Sequence, residues 1–341
     1  MISVLLHSVL KKQMFKKYKY MKKKIIYPLL LTTIVLGVFY SFSSFAPVEE
    51  AESDLPDFPQ EIKALPIPDK FEFAGEFVNL KRHDLRERFD REQLAFTYMH
   101  STTFLLIKRA NQYFPLIEPI LKEYNIPDDF KYLAIIESHL NPRAVSPANA
   151  IGIWQFVAET AKECGLEVNS EVDQRLDLEK ATIAVCQYLQ KSYDMYGSWM
   201  TAASSYNAGR RRISSGLEEQ KAEDCFGLYL NEETARYIFR LMAVKEVMSD
   251  PKKYGFHLKK EDFYHTVRTK EVKVSGSVAN WADWAKENGT DYVQLKYFNL
   301  WIRDMKLNNI DKKTYKVKVP NAKDLEYDIS KVKIHNKAWL N

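Results

Sequence analysis

Apolar residues recur at helical spacing over most of the stretch 86–250, and this periodicity constrains the fold more than any other feature of the chain. No alternation typical of strands stands out within it. Hydrophobic residues make up 46% of the sequence, enough for a sizeable core. We therefore expect a mainly α domain over 86–250. The pattern and its stop residues predict helices over Leu94–Tyr113, Pro115–Tyr124, Asp129–Ser138, Leu178–Tyr196, Trp199–Tyr206 and Glu232–Ser249.

Residues 251–341 differ in composition from this helical stretch. Two short segments, Thr266–Val274 and Thr314–Val319, alternate apolar and polar residues as strands do. Two helix candidates, Ala279–Glu287 and Asp291–Phe298, lie between them. The order strand–helix–helix–strand predicts a small second domain of α+β class.

The N-terminus predicts an exported protein. Residues 1–46 carry eight lysines and no acid, and three lysines directly precede the uncharged apolar run Ile25–Phe45. Such a run behind a cationic block is typical of a signal peptide or a membrane anchor. The small residue Ala46 favours cleavage and the following Pro47 disfavours it, so both alternatives stay open. A linker rich in proline and acids is predicted over 47–85, with the body of the protein on the periplasmic side of the envelope.

Charge and cysteine content argue against two other classes of protein. The net charge of +5 comes from the N-terminal lysines, because the rest of the chain has 42 basic and 45 acidic residues. A nucleic-acid-binding protein would carry its positive charge on the folded domain, so we expect no such partner. The cysteines fit no metal-binding or redox motif, and we expect them to be small buried side chains: Cys164, Cys186 and Cys225.

Glu137 is the residue whose position in the sequence most clearly suggests a role in catalysis. It follows Phe130, Leu133 and Ala134 at helical spacing, which places its carboxylate on the apolar stripe of a helix. Desolvation and the negative end of the helix dipole should both raise its pKa. A carboxyl group that stays protonated near neutral pH can act as a general acid on a glycosidic oxygen. The alternative is a structural glutamate, either held in a salt bridge or extending its carboxylate to solvent at the edge of a domain.

Polar and aromatic residues downstream could complete a cleft for sugar. Gly152 permits close approach of a ligand to the backbone, and Gln155 and Trp154 could hydrogen-bond to a sugar and stack on it. Asn207, at a predicted helix end, could hydrogen-bond a sugar amide. Taken alone, Trp154 is better explained by core packing, and Asn207 is equally well explained by a plain helix stop.

Four short segments combine these residues in a fixed order: Glu137-Ser138, Gly152-Ile153-Trp154-Gln155, Ser205-Tyr206-Asn207 and Tyr237. They resemble the Glu-Ser pair, the Gly-Leu-Met-Gln motif, the Ala-Tyr-Asn motif and the late tyrosine of the soluble lytic transglycosylase domain. That domain belongs to the lysozyme superfamily, and the resemblance is closest to the membrane-bound lytic murein transglycosylase D type. It covers about 86–250. The order and spacing of four motifs are specific, whereas any single motif would be weak.

The resemblance implies a lysozyme-like fold and cleavage of peptidoglycan glycan strands. The family cleaves the bond between N-acetylmuramic acid and N-acetylglucosamine and leaves 1,6-anhydro ends, without metal or cofactor. In this chain Glu137 would be the only acid and base. Ser138 and Tyr237 would orient it, and Gln155 and Asn207 would hold the acetamido sugar.

The resemblance also extends to the C-terminal part. Members of the family often carry LysM modules, which bind glycans, and the element order of 251–341 is similar to a degenerate LysM module. The alternative there is a structural cap on the catalytic domain. Two other functions stay open for the whole chain, a lysozyme-type muramidase that uses water and a non-catalytic glycan-binding protein. We expect a monomer that contacts the membrane through its N-terminal segment.

Overall fold

Helices dominate the structure, a computed structural model that describes residues 63–341 together with residues 14, 16–18 and 20–22. Residues 64–341 pack as one unit. Its α-helices are α1 (His83–Tyr98), α2 (His100–Glu123), α3 (Leu133–Ser138), α4 (Ala158–Glu163), α5 (Leu178–Tyr196), α6 (Trp199–Ala208), α7 (Arg210–Gln220), α8 (Glu232–Ser249), α9 (Trp281–Glu287) and α10 (Tyr292–Phe298). Its strands are β1 (Lys70–Phe73), β2 (Glu76–Asn79), β3 (Thr269–Val274) and β4 (Tyr315–Pro320). The mainly α class predicted from the sequence is confirmed.

Helices α5 and α8 have the bounds predicted from the sequence, because their ends are marked locally. The side chain of Asp177 accepts a hydrogen bond from the backbone of the first turn of α5. Gly197 ends that helix with a φ of +64°, a conformation that costs glycine little. Asn231 caps α8 by accepting from the backbone N–H of Thr234.

Helix α2 does not follow the prediction, which broke it at Pro115. The helix runs through both Pro115 and Pro119. A proline inside a helix removes one backbone hydrogen bond and crowds the preceding turn, at a cost of about 3 kcal/mol. Both prolines are exposed, whereas Phe114, Ile117 and Leu121 on the other face are fully buried. The two prolines together cost about 6 kcal/mol. Burial of three large side chains, at about 1.5–3 kcal/mol each, is of the size needed to offset that local cost.

The predicted linker over 47–85 is wrong from β1 onwards. Strands β1 and β2 form an antiparallel hairpin whose Phe71 and Phe73 are buried in the same core as the helices. At the turn, the backbone N–H of Ala74 donates a 2.7 Å hydrogen bond to a carboxylate oxygen of Asp129. The hairpin is therefore part of the helical domain, and alternation of its aromatic residues was the signal for it.

The segment before α3 also differs from the prediction. It begins as a 3-10 turn over Asp128–Tyr132, and no side chain caps it. Asp129 is held elsewhere, because Lys245 of α8 donates a 2.7 Å hydrogen bond to the carboxylate that also accepts from Ala74. The carboxylate of Asp129 therefore connects the hairpin to α8. The α-helix itself is restricted to the six residues of α3.

The second domain has the predicted order of strand, helix, helix and strand. Strands β3 and β4 pair antiparallel, with Val272 opposite Val317. Helix α10 packs against β4, and α9 packs against α10. The core of this domain includes Trp281, Leu295 and Val317 together with Val172, which comes from the first domain.

Val172 lies in a backbone joint between the two domains. The N–H of Asp173 donates to the carbonyl of Trp301 at 2.9 Å, and the N–H of Arg303 donates to the carbonyl of Glu171 at 2.8 Å. Backbone pairing combined with a buried valine fixes the orientation of the second domain on the first.

The segment after β4 returns to the first domain. Trp339 is 2% exposed, packs against Phe114 of α2 and donates a 2.8 Å hydrogen bond to the carbonyl of Met248. The side chain of Asn111 donates to the carbonyl of Lys333 at 3.0 Å. Residues that precede and residues that follow the second domain thus both pack in the first domain. The predicted boundary between residues 250 and 251 therefore does not separate two independently packed units.

The predicted signal or anchor over Ile25–Phe45 lies outside the described residues, as does the whole of 47–62. Among the residues that are described, no helix combines the length and the apolar character needed to cross a bilayer.

Candidate active site

Glu137 lies at the last turn of α3, where the chain turns sharply. His139 and Leu140 both have positive φ, at 54° and 53°, a conformation that disfavours helix and costs residues other than glycine energy. Leu140 is fully buried, and Arg109 of α2 donates a 2.8 Å hydrogen bond to the carbonyl of His139. These contacts hold the turn and leave Glu137 at the rim of the core rather than within it.

The carboxyl group of Glu137 is surrounded by protein and has an unusual pKa. Burial raises the pKa from 4.5 to about 7, although a hydrogen bond from the hydroxyl of Tyr237 and the charge of Arg240 both lower it. The charge of Glu233 raises it slightly further. The direction agrees with the apolar stripe in the sequence. The salt-bridge alternative is wrong, because no ion pair forms with Glu137 among residues 63–341.

Two tyrosines face this carboxyl group. Burial raises the pKa of both Tyr237 and Tyr206 well above the ordinary value, and the charge of Glu137 acts in the same direction. Both phenols are therefore neutral donors at any physiological pH. Tyr237 donates to Glu137, whereas Tyr206 donates a 2.6 Å hydrogen bond to the carbonyl of Trp154. Tyr206 thus fixes the loop beside the carboxyl group.

Ser138 contacts the same loop instead of the carboxylate. Its hydroxyl lies 2.8 Å from the carbonyl of Ile153 and 3.2 Å from that of Ala134. A hydroxyl has a single proton to donate, and the shorter contact joins α3 to the loop. Ser138 therefore positions Glu137 only indirectly.

Gly152 has a role other than the one expected from the sequence. Its φ is +83°, and a Cβ atom there would lie 2.3 Å from the carbonyl oxygen of Arg175. Glycine is needed here because one backbone segment closely approaches another. Arg175 forms a buried bidentate ion pair with Asp173 and donates to the carbonyls of Asn149 and Phe156. The sequence analysis missed this pair, which holds the loop from the inside.

Trp154 cannot stack on a sugar, so its expected role in the cleft is wrong. Its side chain is fully buried and donates a 2.9 Å hydrogen bond to the hydroxyl of Thr182 on α5. Core packing, the reading preferred for this residue taken alone, explains the position.

Gln155 has a free amide carbonyl oxygen. Both hydrogens of Nε2 are used, since Nε2 donates to the carbonyls of Ala144 and Gly152 at 3.1 and 2.8 Å. Its Oε1 accepts no hydrogen bond from any residue in 63–341, and the side chain is half-buried. Two carbonyl acceptors fix which end of the amide is nitrogen. Gln155 therefore offers a free acceptor.

Asn207 offers free hydrogen-bond donors, whereas Gln155 offers a free acceptor. Its Oδ1 accepts a 2.8 Å hydrogen bond from the hydroxyl of Thr234, which is 4% exposed in the first turn of α8. The N–H groups of Asn207 are thus directed away from Thr234 and are available as donors. Helix α6 carries Asn207 on its last turn and ends at Gly209, so the helix-stop explanation and the binding explanation are compatible.

The structure brings Glu137, Tyr206 and Tyr237 together, with Arg240 beside them. The sequence analysis missed Arg240, although its position three residues after Tyr237 places both on one face of α8. Within the described residues, no group of three or more side chains is arranged to hold a metal ion.

Comparisons with known proteins agree with these motifs. Residues 115–226 match the transglycosylase SLT domain, and residues 270–323 match the soluble lytic transglycosylase C-terminal LysM-like domain. The first match includes Glu137, Gln155 and Asn207 but ends before α8, so the structure adds Tyr237 to it.

Three curated relatives are similar to the chain. A membrane-bound lytic murein transglycosylase D from Escherichia coli K12 is 28% identical over 246 residues, or 70% of this chain and 53% of that protein. A transglycosylase F from Photobacterium profundum is 30% identical over 40% of this chain and 27% of that protein. A transglycosylase C from Actinobacillus pleuropneumoniae is 48% identical over 54 residues, 16% of this chain and 15% of that protein. The chain spans about half the length of the D-type relative.

Proposed function

We propose that this chain, which carries a transglycosylase SLT domain and a LysM-like C-terminal domain, is a peptidoglycan lytic transglycosylase. It would cleave the β-1,4 bond from N-acetylmuramic acid to N-acetylglucosamine and leave 1,6-anhydro-N-acetylmuramic acid ends. The observation that carries the proposal is the carboxyl group of Glu137, whose pKa of about 7 lets it donate and then accept a proton near neutral pH.

In the first step, Glu137 protonates the bridging oxygen, and the bond to the anomeric carbon breaks. The carboxylate left behind is stabilised by the hydrogen bond from Tyr237 and by the charge of Arg240. Both interactions favour the charged form, so they strengthen as the proton leaves. This is the behaviour that a general acid requires of its neighbours.

The acetamido group of the muramic sugar would then support the anomeric centre, as in substrate-assisted hydrolases. An acetamido group has one donor and one acceptor. The free acceptor of Gln155 matches the first, and the free N–H groups of Asn207 match the second. We assign these two side chains to holding acetamido groups of the glycan.

In the second step, Glu137 takes the proton from the 6-hydroxyl of the muramic sugar, and that oxygen attacks the anomeric carbon. The bridging oxygen keeps the first proton, and the acid is restored by the second. No water is consumed. The ring that closes is the anhydro product, lighter by one water than a hydrolysed end.

The names of the relatives place them at the membrane and on murein. We extend this to an envelope location for this chain, with the catalytic body on the periplasmic side and the N-terminal segment as export signal or anchor. A monomeric state, glycan binding by the LysM-like domain and the predicted division into an N-terminal segment and two domains remain predictions.

The test is a digest of purified peptidoglycan by the full-length protein, compared with the Glu137→Gln variant and read by mass spectrometry. Anhydro ends that are absent with Glu137→Gln support the proposal. A matched control, Glu218→Gln on an exposed position of α7, should cleave as the wild type does. Hydrated reducing ends would instead indicate a lysozyme-type hydrolase. Retained binding without cleavage would indicate a glycan-binding protein.

A further inference from the structure

A group of cations surrounds one end of the candidate active site. Its members lie on α2, the turn after α3, α8, α10 and the loop after α10. Among residues 63–341, none of them forms an ion pair with a carboxylate. We call the group the basic patch; it consists of Arg109, Arg143, Arg240, Lys296 and Arg303.

The patch begins at the catalytic carboxyl group. Arg240 lies close enough to Glu137 to lower its pKa, and its guanidinium is 3.4 Å from the carbonyl of Ile136. Arg109 donates to the carbonyl of His139, two residues after Glu137. Burial lowers the pKa of His139, and the charges of Arg240 and Arg109 lower it further. Two positive charges therefore act on the segment that follows Glu137.

The patch continues across the joint between the domains. The guanidinium of Arg143 lies 5.8 Å from the ring centroid of Tyr297 on α10, within the range of a cation–π contact. Arg143 is exposed, and Tyr297 is 53% exposed. Burial lowers the pKa of Lys296, with Arg303 and Arg143 acting in the same direction. The second domain thus adds two cations and an exposed aromatic ring to the surface around Arg143.

This surface is built on rigid elements. The backbone hydrogen bonds of Asp173 and Arg303 join the domains, and Lys318 of β4 forms a 2.6 Å ion pair with Glu179 of α5. The hydroxyl of Tyr315 donates to Glu167 across the same joint. Since the domains are fixed together, the cations of the patch are held near one another, and none of them is ion-paired with a carboxylate among residues 63–341. Such an arrangement attracts an anionic ligand.

We propose that the basic patch binds the carboxylate groups of the peptides attached to the glycan substrate. The proposal rests on the proposed function, which makes a peptide-bearing glycan the substrate. In such a strand the free carboxylates lie on the peptides, beside the sugar whose bond is cleaved. A guanidinium group and an exposed tyrosine can hold a carboxylate and the backbone next to it. The second domain would then bind the peptide while the first domain cleaves the glycosidic bond.

The test measures binding rather than turnover. Full-length protein carrying Glu137→Gln is titrated by calorimetry with soluble peptide-bearing strands and with the same strands after enzymatic removal of the peptides. The readout is the ratio of the two dissociation constants. Arg143→Gln with Arg303→Gln should reduce the preference for peptide-bearing strands about three- to tenfold. Raising the salt concentration should weaken the preference as well.

Two matched variants serve as controls. Arg143→Lys with Arg303→Lys keeps the charge and should retain most of the preference. Lys162→Gln with Lys270→Gln removes two charges from exposed positions, one in each domain and both outside the patch, and should leave the ratio at the parent value. All four substituted side chains are exposed, and circular dichroism verifies that each variant is folded.

Several results would overturn the inference. One is an unchanged ratio of the two dissociation constants in the variant that combines Arg143→Gln with Arg303→Gln. Another is an equal loss of affinity of this variant for both kinds of strand. A third is the absence of binding of either strand to the Glu137→Gln protein. Loss of binding to vesicles of anionic phospholipid, with the ratio unchanged, would make the patch a membrane surface instead. A protein that prefers peptide-bearing strands but releases no anhydro ends would refute the proposed function and leave this inference standing.

Discussion

Replacement of Glu137 by glutamine should stabilise the folded protein above neutral pH while abolishing catalysis. The wild-type carboxyl group has a pKa of about 7 in the folded state, raised from 4.5 by burial. Glutamine is neutral, has nearly the same shape and can still accept the hydrogen bond from Tyr237. It removes the cost of ionising a buried group and leaves the packing intact.

The sign and size of the stability difference between Glu137→Gln and the wild type follow from the pKa of Glu137 in the folded and unfolded states. Below pH 4.5 the carboxyl group is protonated in both folded and unfolded chains, and the two proteins should be equally stable. Between pH 4.5 and 7 the unfolded chain loses this proton while the folded protein retains it, so the wild type loses stability as the pH rises. The difference between the pKa values, roughly 2.5, corresponds to about 3 kcal/mol. Above pH 8, Glu137→Gln should therefore be more stable by about 3 kcal/mol.

Urea unfolding at pH 4 and at pH 8.5, followed by tryptophan fluorescence and circular dichroism, measures the effect. The control Glu218→Gln, at an exposed position, should change the free energy of unfolding by less than about 0.5 kcal/mol at either pH. The reasoning is refuted if Glu137→Gln is no more stable than the wild type at pH 8.5, or if the gain is the same at both pH values. Either result would mean that the carboxylate is well solvated or well paired.

Three further outcomes are expected. Tyr237→Phe removes a hydrogen bond that lowers the pKa of Glu137, so the alkaline limb of kcat should move to higher pH while kcat falls about tenfold; a pH–rate profile with unchanged limbs would contradict this. Thr234→Val releases the amide of Asn207 and should raise KM about three- to tenfold with little change in kcat, whereas Thr234→Ser should behave as the wild type. Gly152→Ala meets a backbone carbonyl at 2.3 Å and a φ of +83°, and should lower the free energy of unfolding by at least about 2 kcal/mol in urea titrations.

The sequence predicts those elements whose boundaries are encoded by adjacent residues. Helix α5 begins after the capping side chain of Asp177 and ends at Gly197, and both signals lie at the helix itself. The direction of the pKa shift of Glu137 was predictable for the same reason, because the apolar stripe in the sequence lies within the seven residues before it. Pro115, by contrast, signals a break that the burial of α2 overrides.

The roles of Gly152 and Trp154 could not be read from the sequence, because their partners are distant in the chain. The indole of Trp154 bonds to Thr182, and the backbone of Gly152 packs on Arg175. Each residue matched a motif of sugar-binding enzymes, but a residue of such a motif can be required for the conformation of the loop rather than for contact with a ligand. Within the motif from Gly152 to Gln155, it is Gln155 that has a free polar group for binding, because its Oε1 accepts no hydrogen bond from the described residues.

The return of the chain to the first domain at Trp339 limits how such proteins can recombine. The match to the LysM-like domain ends at residue 323, yet the indole of Trp339 fills a site between Phe114 and Met248 in the other domain. A gene fusion that ended the chain at residue 323 would leave a cavity the size of a tryptophan under α2, at a cost of about 3–5 kcal/mol. Exchange of C-terminal ends among relatives would therefore succeed only where the segment through Trp339 travels with the domain, or where the recipient already fills that site.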